Sequence, residues 1–174
     1  SKYGFEKIEY LSQASKNLNK RSTILTLLQM GEYIAKLYEK ASDKRISRRC
    51  FTPSSTEGKC PFCKGRGKLL SEEKEFIGIC DNCKGYGFSK ETLSIKVDGL
   101  NIYELFSANL EDLADIASDD RIRQTSLLAK RLGVGYLSFA RPLQSLSKGE
   151  LQRASLINIL SGKEKDRLII LDEP

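Results

Sequence analysis

Two short stretches, "CPFCKGRG" (Cys60 to Gly67) and "CDNCKGYG" (Cys80 to Gly87), constrain this chain more than anything else in it. Each reads CxxCxGxG, and sixteen residues separate Cys63 from Cys80. A CxxC turn aims two thiolates at one point, and two such turns at this spacing complete a tetrahedral four-cysteine site of the structural zinc type. The glycines let the chain fold back so that backbone amides approach the sulfurs. Four protein ligands leave no position for water, so Cys60, Cys63, Cys80 and Cys83 are the expected ligands of one structural zinc ion. Two disulfides or a pair of redox-active CxxC turns would use the same residues; two matched knuckles in a chain of cytosolic type favour the metal. Cys50 lies outside both repeats and is expected to be a free thiol, although it could replace a ligand if its loop folds back.

The 174 residues, 40% hydrophobic and 30% charged, have room for one ordinary domain or two small ones, so size alone does not demand a metal. No apolar run approaches the roughly 18 residues of a membrane span, and no charged-then-apolar leader opens the chain; the expectation is a cytoplasmic protein with no membrane partner. The chain begins without Met and ends on Pro174 directly after an apolar run, which suggests a piece of a larger protein. Its net charge of +6 is concentrated in residues 1–50. The excess is densest where Lys44, Arg45, Arg48, Arg49, Lys59, Lys64, Arg66 and Lys68 face only Glu57. Such a patch suits a phosphate backbone through counterion release, though a solvated basic surface has the same composition.

Along the chain, "RSTILTLLQMGEYIAKLYEKAS" places Ile24, Leu27, Leu28, Ile34, Leu37 and Tyr38 at near-helical spacing, predicting one amphipathic helix capped by Ser22 or Thr23. "FTPSSTEG" reads as a loop. From Cys60 to about Gly99, short β-like runs "GKLLS", "EFIGI" and "LSIKV" alternate with glycine turns, too little to hold a core unaided. "NLEDLADIA" and "RIRQTSLLAKRL" predict two helices, capped by Asn109 and by Asp119 or Asp120, with Gly133 and Gly135 closing the second. A last helix is expected from about Gly149 to Leu160. "RLIIL" has the character of a strand buried in a parallel sheet.

Two features near the C-terminus point to nucleotide chemistry. An apolar strand ending in Asp172 and Glu173 matches the arrangement in which an Asp holds magnesium and the next carboxylate orients the attacking water, although taken alone a strand running into an acidic turn reads the same. In "LSKGELQR", Ser147 and Glu150 form a capping box, and a helix N-terminus of this kind is equally an anion site. Capping and phosphate binding use the same groups, so the pattern alone does not separate them. The strand follows the helix at a fixed distance, and that order favours the nucleotide. The 174 residues contain no GxxxxGK[ST] phosphate loop.

In collinear order "SQASKNLNKRST", "FTPSSTEGKCPFCKGRG", "CDNCKGYGFSKETL", "GVGYLSFARPLQSLSKGELQR" and "LIILDEP" resemble the UvrA family, ATP-binding subunits of bacterial nucleotide excision repair, and specifically its C-terminal ATPase half. The resemblance implies an α+β chain: a mostly helical signature-type domain with an inserted four-cysteine zinc-ribbon-like module, forming a fragment of an ABC-type P-loop ATPase. It divides the chain into a Q-loop segment and helical arm (1–48), the zinc module (49–99), a helical connector (100–140), and a signature helix with a truncated Walker B strand (141–174). It implies that Gln13, Ser147, Lys148, Gly149 and Glu150 line a nucleotide site and that Asp172 and Glu173 are catalytic. It also implies ATP and magnesium in the full-length parent, and duplex DNA, a UvrB-like protein and a second copy of the parent as partners. The fragment alone, lacking the phosphate loop, is expected to be inactive. Candidate DNA contacts are Arg21, Arg48, Arg49, Lys64, Arg66, Lys68, Lys84 and Tyr86.

Three departures stand out. Lys148 replaces the first signature glycine, Ser12 replaces the Asp before the Gln, and the segment between the cysteine pairs is about three residues shorter than usual, so its hairpin toward DNA should be stunted. A UvrA-like ATPase with a drug-resistance or other non-repair role is therefore an alternative. A DnaJ-like zinc chaperone module shares CxxCxGxG, but has four such repeats and leaves "LSKGELQR" and "LIILDEP" unexplained.

Overall fold

The computed structural model describes residues 7–11, 22–161 and 167–171. These fall into two compact units: one takes in the described residues up to Gln29 and from Ser107 onward, the other spans Met30–Phe106. Strand β1 (Lys7–Leu11) is followed by α1 (Ile24–Leu27), whose start is fixed by the Thr26 hydroxyl: it accepts the Thr23 N–H at 2.9 Å and donates to the Thr23 carbonyl at 2.7 Å.

The single helix expected from Ser22 onward does not form. The chain leaves α1 at Gln29, which takes a left-handed φ of 53°, and Met30 then starts α2 (Gly31–Ala41), accepting the Ile34 N–H at 2.9 Å. The break falls at the boundary between the two units, which bury different parts of the same apolar stripe. Ile24, Leu25 and Leu28 are buried in the first; Ile34, Ala35 and Tyr38 are buried in the second.

Within Met30–Phe106, the Tyr38 ring meets Phe51 of a 3-10 turn (Arg48–Phe51) at 5.4 Å, and its hydroxyl donates to the Leu100 carbonyl at 2.8 Å. Burial, helped by Asp98 and Glu104, pushes the Tyr38 phenol well above its ordinary pKa, so it is a permanent donor. The cysteine repeats carry an antiparallel hairpin, β2 (Lys68–Leu70) and β3 (Phe76–Ile79). "LSIKV" is not one strand: its first residues close α3 (Lys90–Ser94), which Ser89 caps by accepting the Thr92 N–H at 3.1 Å. Only Lys96–Val97 extends, as β4, and it turns back through Asp98 (φ 50°) and Gly99 (φ 80°) into β5 (Leu100–Asn101). Two successive left-handed residues make this an Asp-Gly hairpin turn. Helix α4 (Ile102–Ser107) follows, with Asn101 and Glu104 capping each other at 2.8 and 3.0 Å.

In the other unit, α5 (Leu110–Ile116) and α6 (Asp120–Arg131) match the expected helices, with a correction at each cap. The Asn109 side chain makes no capping bond; instead the Leu110 and Glu111 amides donate to the Leu137 and Gly135 carbonyls at 2.8 and 2.9 Å, because the following loop runs across the helix start. Asp119 rather than Asp120 caps α6, accepting the Ile122 N–H at 3.0 Å. Gly133 alone closes it, at φ 69°, with its own amide and that of Val134 reaching back to Lys130 and Ala129 in a Schellman pattern. Gly135 serves a different purpose, since a Cβ there would lie 2.9 Å from that of Glu111.

A second 3-10 turn (Leu143–Ser145) leads into α7 (Lys148–Leu160), one residue longer at its start than expected. The stretch ahead of α7 is stitched to α1: Ile24 donates to the Arg141 carbonyl at 3.0 Å, Leu25 to Phe139 at 2.9 Å and Leu143 to Ser22 at 2.9 Å. Strand β6 (Arg167–Leu171) pairs in parallel with β1, Lys7 opposite Arg167 through Leu11 opposite Leu171. The parallel pairing agrees with the sequence pattern, but burial does not: Leu168 and Ile170 are exposed on this two-stranded sheet. No helix among the described residues is long and apolar enough to cross a membrane.

Among the described residues, one buried side-chain oxygen is left over. The Ser126 hydroxyl, on the buried face of α6, has no hydrogen-bond partner. An unmet hydroxyl carries its desolvation penalty uncompensated, so Ser126→Ala is expected to raise stability by about 1 kcal/mol, read as a higher denaturant midpoint at unchanged slope. A loss of stability would mean that the hydroxyl has a partner in solution.

Candidate metal centre and signature helix

The two knuckles are built alike. In each, the lysine after the second cysteine is left-handed, Lys64 and Lys84 both at φ 52°, and the two glycines follow at φ 86° and 72° (Gly65, Gly67) or 91° and 77° (Gly85, Gly87). The turn brings the second glycine's amide onto the second thiol: Gly67 donates to Cys63 Sγ at 3.2 Å and Gly87 to Cys83 Sγ at 3.3 Å. The knuckles then exchange backbone bonds, the Cys60 amide donating to the Gly87 carbonyl and the Cys80 amide to that of Gly67, each at 2.9 Å. A Cβ on Gly67 would lie 2.2 Å from the Gly85 carbonyl oxygen, and one on Gly87 would lie 2.7 Å from that of Gly65. Only glycine permits this approach.

The outcome is four buried sulfurs within 4.8 Å of one another. The Cys60–Cys80 pair is 3.9 Å apart and the Cys63–Cys83 pair 3.7 Å. Metal–sulfur bonds of about 2.3 Å in a tetrahedron set the sulfurs about 3.8 Å apart. A disulfide needs about 2 Å, and all four cysteines are free, so the sulfurs are spaced for a four-coordinate metal ion rather than paired. Burial opposes ionisation of Cys60, but the Asn82 side-chain amide at 3.2 Å, with the Cys63 and Phe62 amides, outweighs it and brings that thiol down to about 6. Burial and the neighbouring thiols push Cys83 up to about 11. Cys60 is thus the readiest of the pair to become a thiolate, and a cation at the centre is what would favour ionisation of Cys83.

Cys50 is not part of the cluster. It is half-buried and free, its backbone covered by Gly58, and its thiol is pushed up by burial and by Glu57 and Glu91.

Of the candidate DNA contacts, Arg48, Arg49, Lys64, Arg66, Lys68 and Lys84 are exposed, and Lys64 and Lys84 occupy equivalent places on the two knuckles. Three have partners inside the unit: Arg49 pairs with Glu57 at 3.2 Å, Lys84 with Asp81 at 3.8 Å, and Arg66 Nε donates to the Cys63 carbonyl at 3.2 Å. Tyr86 is half-buried and stacks on Tyr103 at 4.4 Å, 16° from parallel, so one face of its ring is occupied. The hairpin differs from the knuckles. Its tip carries exposed Glu72, Glu73 and Glu75 against Lys74, and Phe76, Ile77 and Ile79 on β3 are about two-thirds exposed.

At the start of α7, Ser147 Oγ accepts the Glu150 N–H at 3.2 Å while the Ser147 N–H donates to Glu150 Oε2 at 2.6 Å. The capping box is complete, and the amides of Lys148 and Gly149 head the helix. Sequence reasoning missed a further partner: the exposed Tyr136 hydroxyl donates to Glu150 Oε1. That bond, then the Ser147 amide and hydroxyl, hold the Glu150 carboxyl down to about 2. Nothing in the spacing of Tyr136 and Glu150 advertises the contact, because it depends on how the loop after α6 lies. Gln13, Arg21, Asp172 and Glu173, and the replaced position Ser12, lie outside the described residues.

No protein-family model matches the chain. Among curated proteins, UvrABC system protein A of Aquifex aeolicus is 30% identical over 189 residues, covering 97% of this chain and 20% of that protein. The protein of the same name from Helicobacter pylori is 30% identical over 177 residues, covering 97% and 19%. The crystal structure of UvrA2 from Deinococcus radiodurans has a TM-score of 0.78 over 100% of this chain and 22% of its own, at 24% identity, a likeness of fold. The chain spans about a fifth of the length of the curated relatives it matches.

The knuckle geometry makes a direct prediction. Gly67→Ala forces a Cβ into a carbonyl at a left-handed φ, so metal retention against a competing chelator should fall at least about tenfold. Gly78, where a Cβ would meet open space, is the control: Gly78→Ala should retain metal as the unaltered chain does. Equal retention in both would mean that the cross-knuckle approach is not needed for the site.

Proposed function

The chain belongs to the UvrA family over the stretch it shares with those relatives, and from that premise we propose that it is part of an ATP-dependent DNA-binding subunit of nucleotide excision repair. The observation that carries this is the collinear match over 97% of the chain, which takes in both cysteine knuckles and the capped helix together. In this reading the metal is one structural zinc ion. The four-sulfur donor set and its closed geometry support zinc, with no open position for catalysis.

The nucleotide belongs to the longer protein. Ser147, Lys148, Gly149 and Glu150 form the end of α7 that faces the γ-phosphate held by a second ATPase half, and Gln13, Asp172 and Glu173 complete the magnesium and water chemistry. The amides and hydroxyl at a capped helix start are suited to an anion, which supports this role. The 174 residues alone do not hydrolyse ATP. Duplex DNA meets the basic knuckle residues, with Lys64 and Lys84 leading; the acidic tip between β2 and β3 repels phosphate, so the hairpin does not. A UvrB-like protein and a second copy of the parent are the expected partners, in the cytoplasm.

Lys148 favours a second reading, a UvrA-like ATPase with a non-repair ligand. Its exposed cation stands where the family has glycine, at the first residue of the helix that meets phosphate.

Three measurements test the proposal. Native mass spectrometry should find one zinc per chain, and uptake at neutral pH should release protons, because Cys83 must ionise against a raised pKa. Two disulfides in place of the metal would sink the zinc assignment. For DNA, Lys64→Ala with Lys84→Ala should flatten the dependence of log affinity on log salt by about 2, one phosphate contact each. An unaltered slope removes the knuckles from the DNA surface, and no duplex binding by the chain at low salt removes the DNA role of this segment. In the intact protein, Ser147→Ala should lower ATP turnover at limiting ATP; normal turnover would take α7 out of the nucleotide site.

A further inference from the structure

Tyr136 is half exposed, yet its hydroxyl is committed to Glu150. The loop that carries it is fixed on both sides. Gly135 sits against Glu111 so closely that no Cβ fits, the Glu111 amide donates to the Gly135 carbonyl at 2.9 Å, and the Leu110 amide donates to that of Leu137 at 2.8 Å. The buried side chains of Val134 and Leu137 flank the tyrosine. Tyr136 is thus delivered to the start of α7 from a rigid base formed by α5 and the end of α6.

The Glu150 carboxylate is consequently gripped at both oxygens, Oε1 by Tyr136 and Oε2 by the Ser147 amide at 2.6 Å. An ordinary capping box uses only the second of these bonds and leaves the carboxylate one free oxygen beside the helix start. That matters because a carboxylate there competes with any incoming anion for the same donors. Two further cations stand at this corner: Arg141 on the preceding loop, which faces Glu150, and Arg153 one turn along α7, which bonds the Tyr136 hydroxyl and whose guanidinium would lie 3.5 Å from a Cβ at Gly149.

We propose that Tyr136 is a positioning residue for the nucleotide-facing end of α7: it holds the Glu150 carboxylate aside so that Ser147 and the first helical amides are presented to the phosphate. The proposal rests on the reading of α7 as the signature helix. Tyr136 does not touch the nucleotide; it acts through Glu150. The strongly lowered Glu150 carboxyl and the raised Tyr136 phenol are what a persistent bond between the two would produce.

The test uses the intact UvrA-family protein carrying this segment. Tyr136→Phe keeps the ring and removes the bond; it should raise KM for ATP about fivefold with kcat within about twofold, the pattern of lost binding rather than lost chemistry. Glu150→Gln keeps a residue able to complete the capping box but removes its charge. In that background Tyr136→Phe should have no further effect on KM. An unchanged KM in the single variant, or an equal rise in the Glu150→Gln background, overturns the proposal. Ser147→Ala separates the two levels: if it is also silent, the signature reading has failed, whereas if it alone impairs turnover, only the role of Tyr136 has failed. The 174-residue chain gives a check that needs no variant. Its Glu150 carboxyl, followed by carbon NMR, should titrate well below an ordinary glutamate, and an ordinary titration would overturn the proposal.

Discussion

Four thiols drawn to within 4.8 Å of one another are the constraint on which the Met30–Phe106 unit turns. Sulfurs so placed gain little from one another, and their ionised forms repel; the arrangement is favourable only with a cation between them. Other details of the module follow from bringing them there. The left-handed lysines and glycines shape the turns, the glycine amides and Asn82 stabilise negative sulfur, and the two knuckles lock by exchanged backbone bonds. The hairpin that joins them contributes almost nothing apolar to a core, since most of its large side chains face outward. The sulfur cluster itself is the interior of the module.

The other unit solves a different problem, the placement of one helix start. Backbone bonds from α1 hold the approach to α7, and the loop after α6, pinned beneath α5, holds its capping glutamate. A helix N-terminus in free solution frays within its first turn. Here neighbouring elements secure that turn from two directions, which leaves the serine and the leading amides in a defined position without covering them.

Sequence legibility divides along the same physical lines. The cysteine site was readable because the same short turn occurs twice, and the Ser147–Glu150 capping box because it joins residues three apart; the cap of α6 was narrowed only to Asp119 or Asp120, and its stop only to Gly133 and Gly135. The break at Gln29 was not, since the apolar period runs through it and a left-handed glutamine gives no signal of its own; only the division into two units explains it. The Asp98-Gly99 turn was legible in principle, yet the β-branched residues around it suggested a single longer strand. Helix α4 is too short to show a period of its own and was taken in only as part of the helical connector over 100–140, and the Tyr136–Glu150 bond was missed because it joins a loop to a helix through tertiary placement. Asn109 shows the converse error: a good local cap was displaced by backbone carbonyls from a distant loop.

The reciprocity of the knuckles has a further consequence. The amide of Cys60 bonds to the carbonyl of Gly87, and that of Cys80 to the carbonyl of Gly67, so each half offers the other the same donor and the same acceptor. A single CxxCxGxG loop is therefore self-complementary around a shared ion, in the manner of an isologous two-fold contact. Two copies of one short peptide contain every backbone element the centre requires. The present site is the arrangement that two copies of such a loop would give, with the intervening hairpin as the tether that holds both copies in one chain.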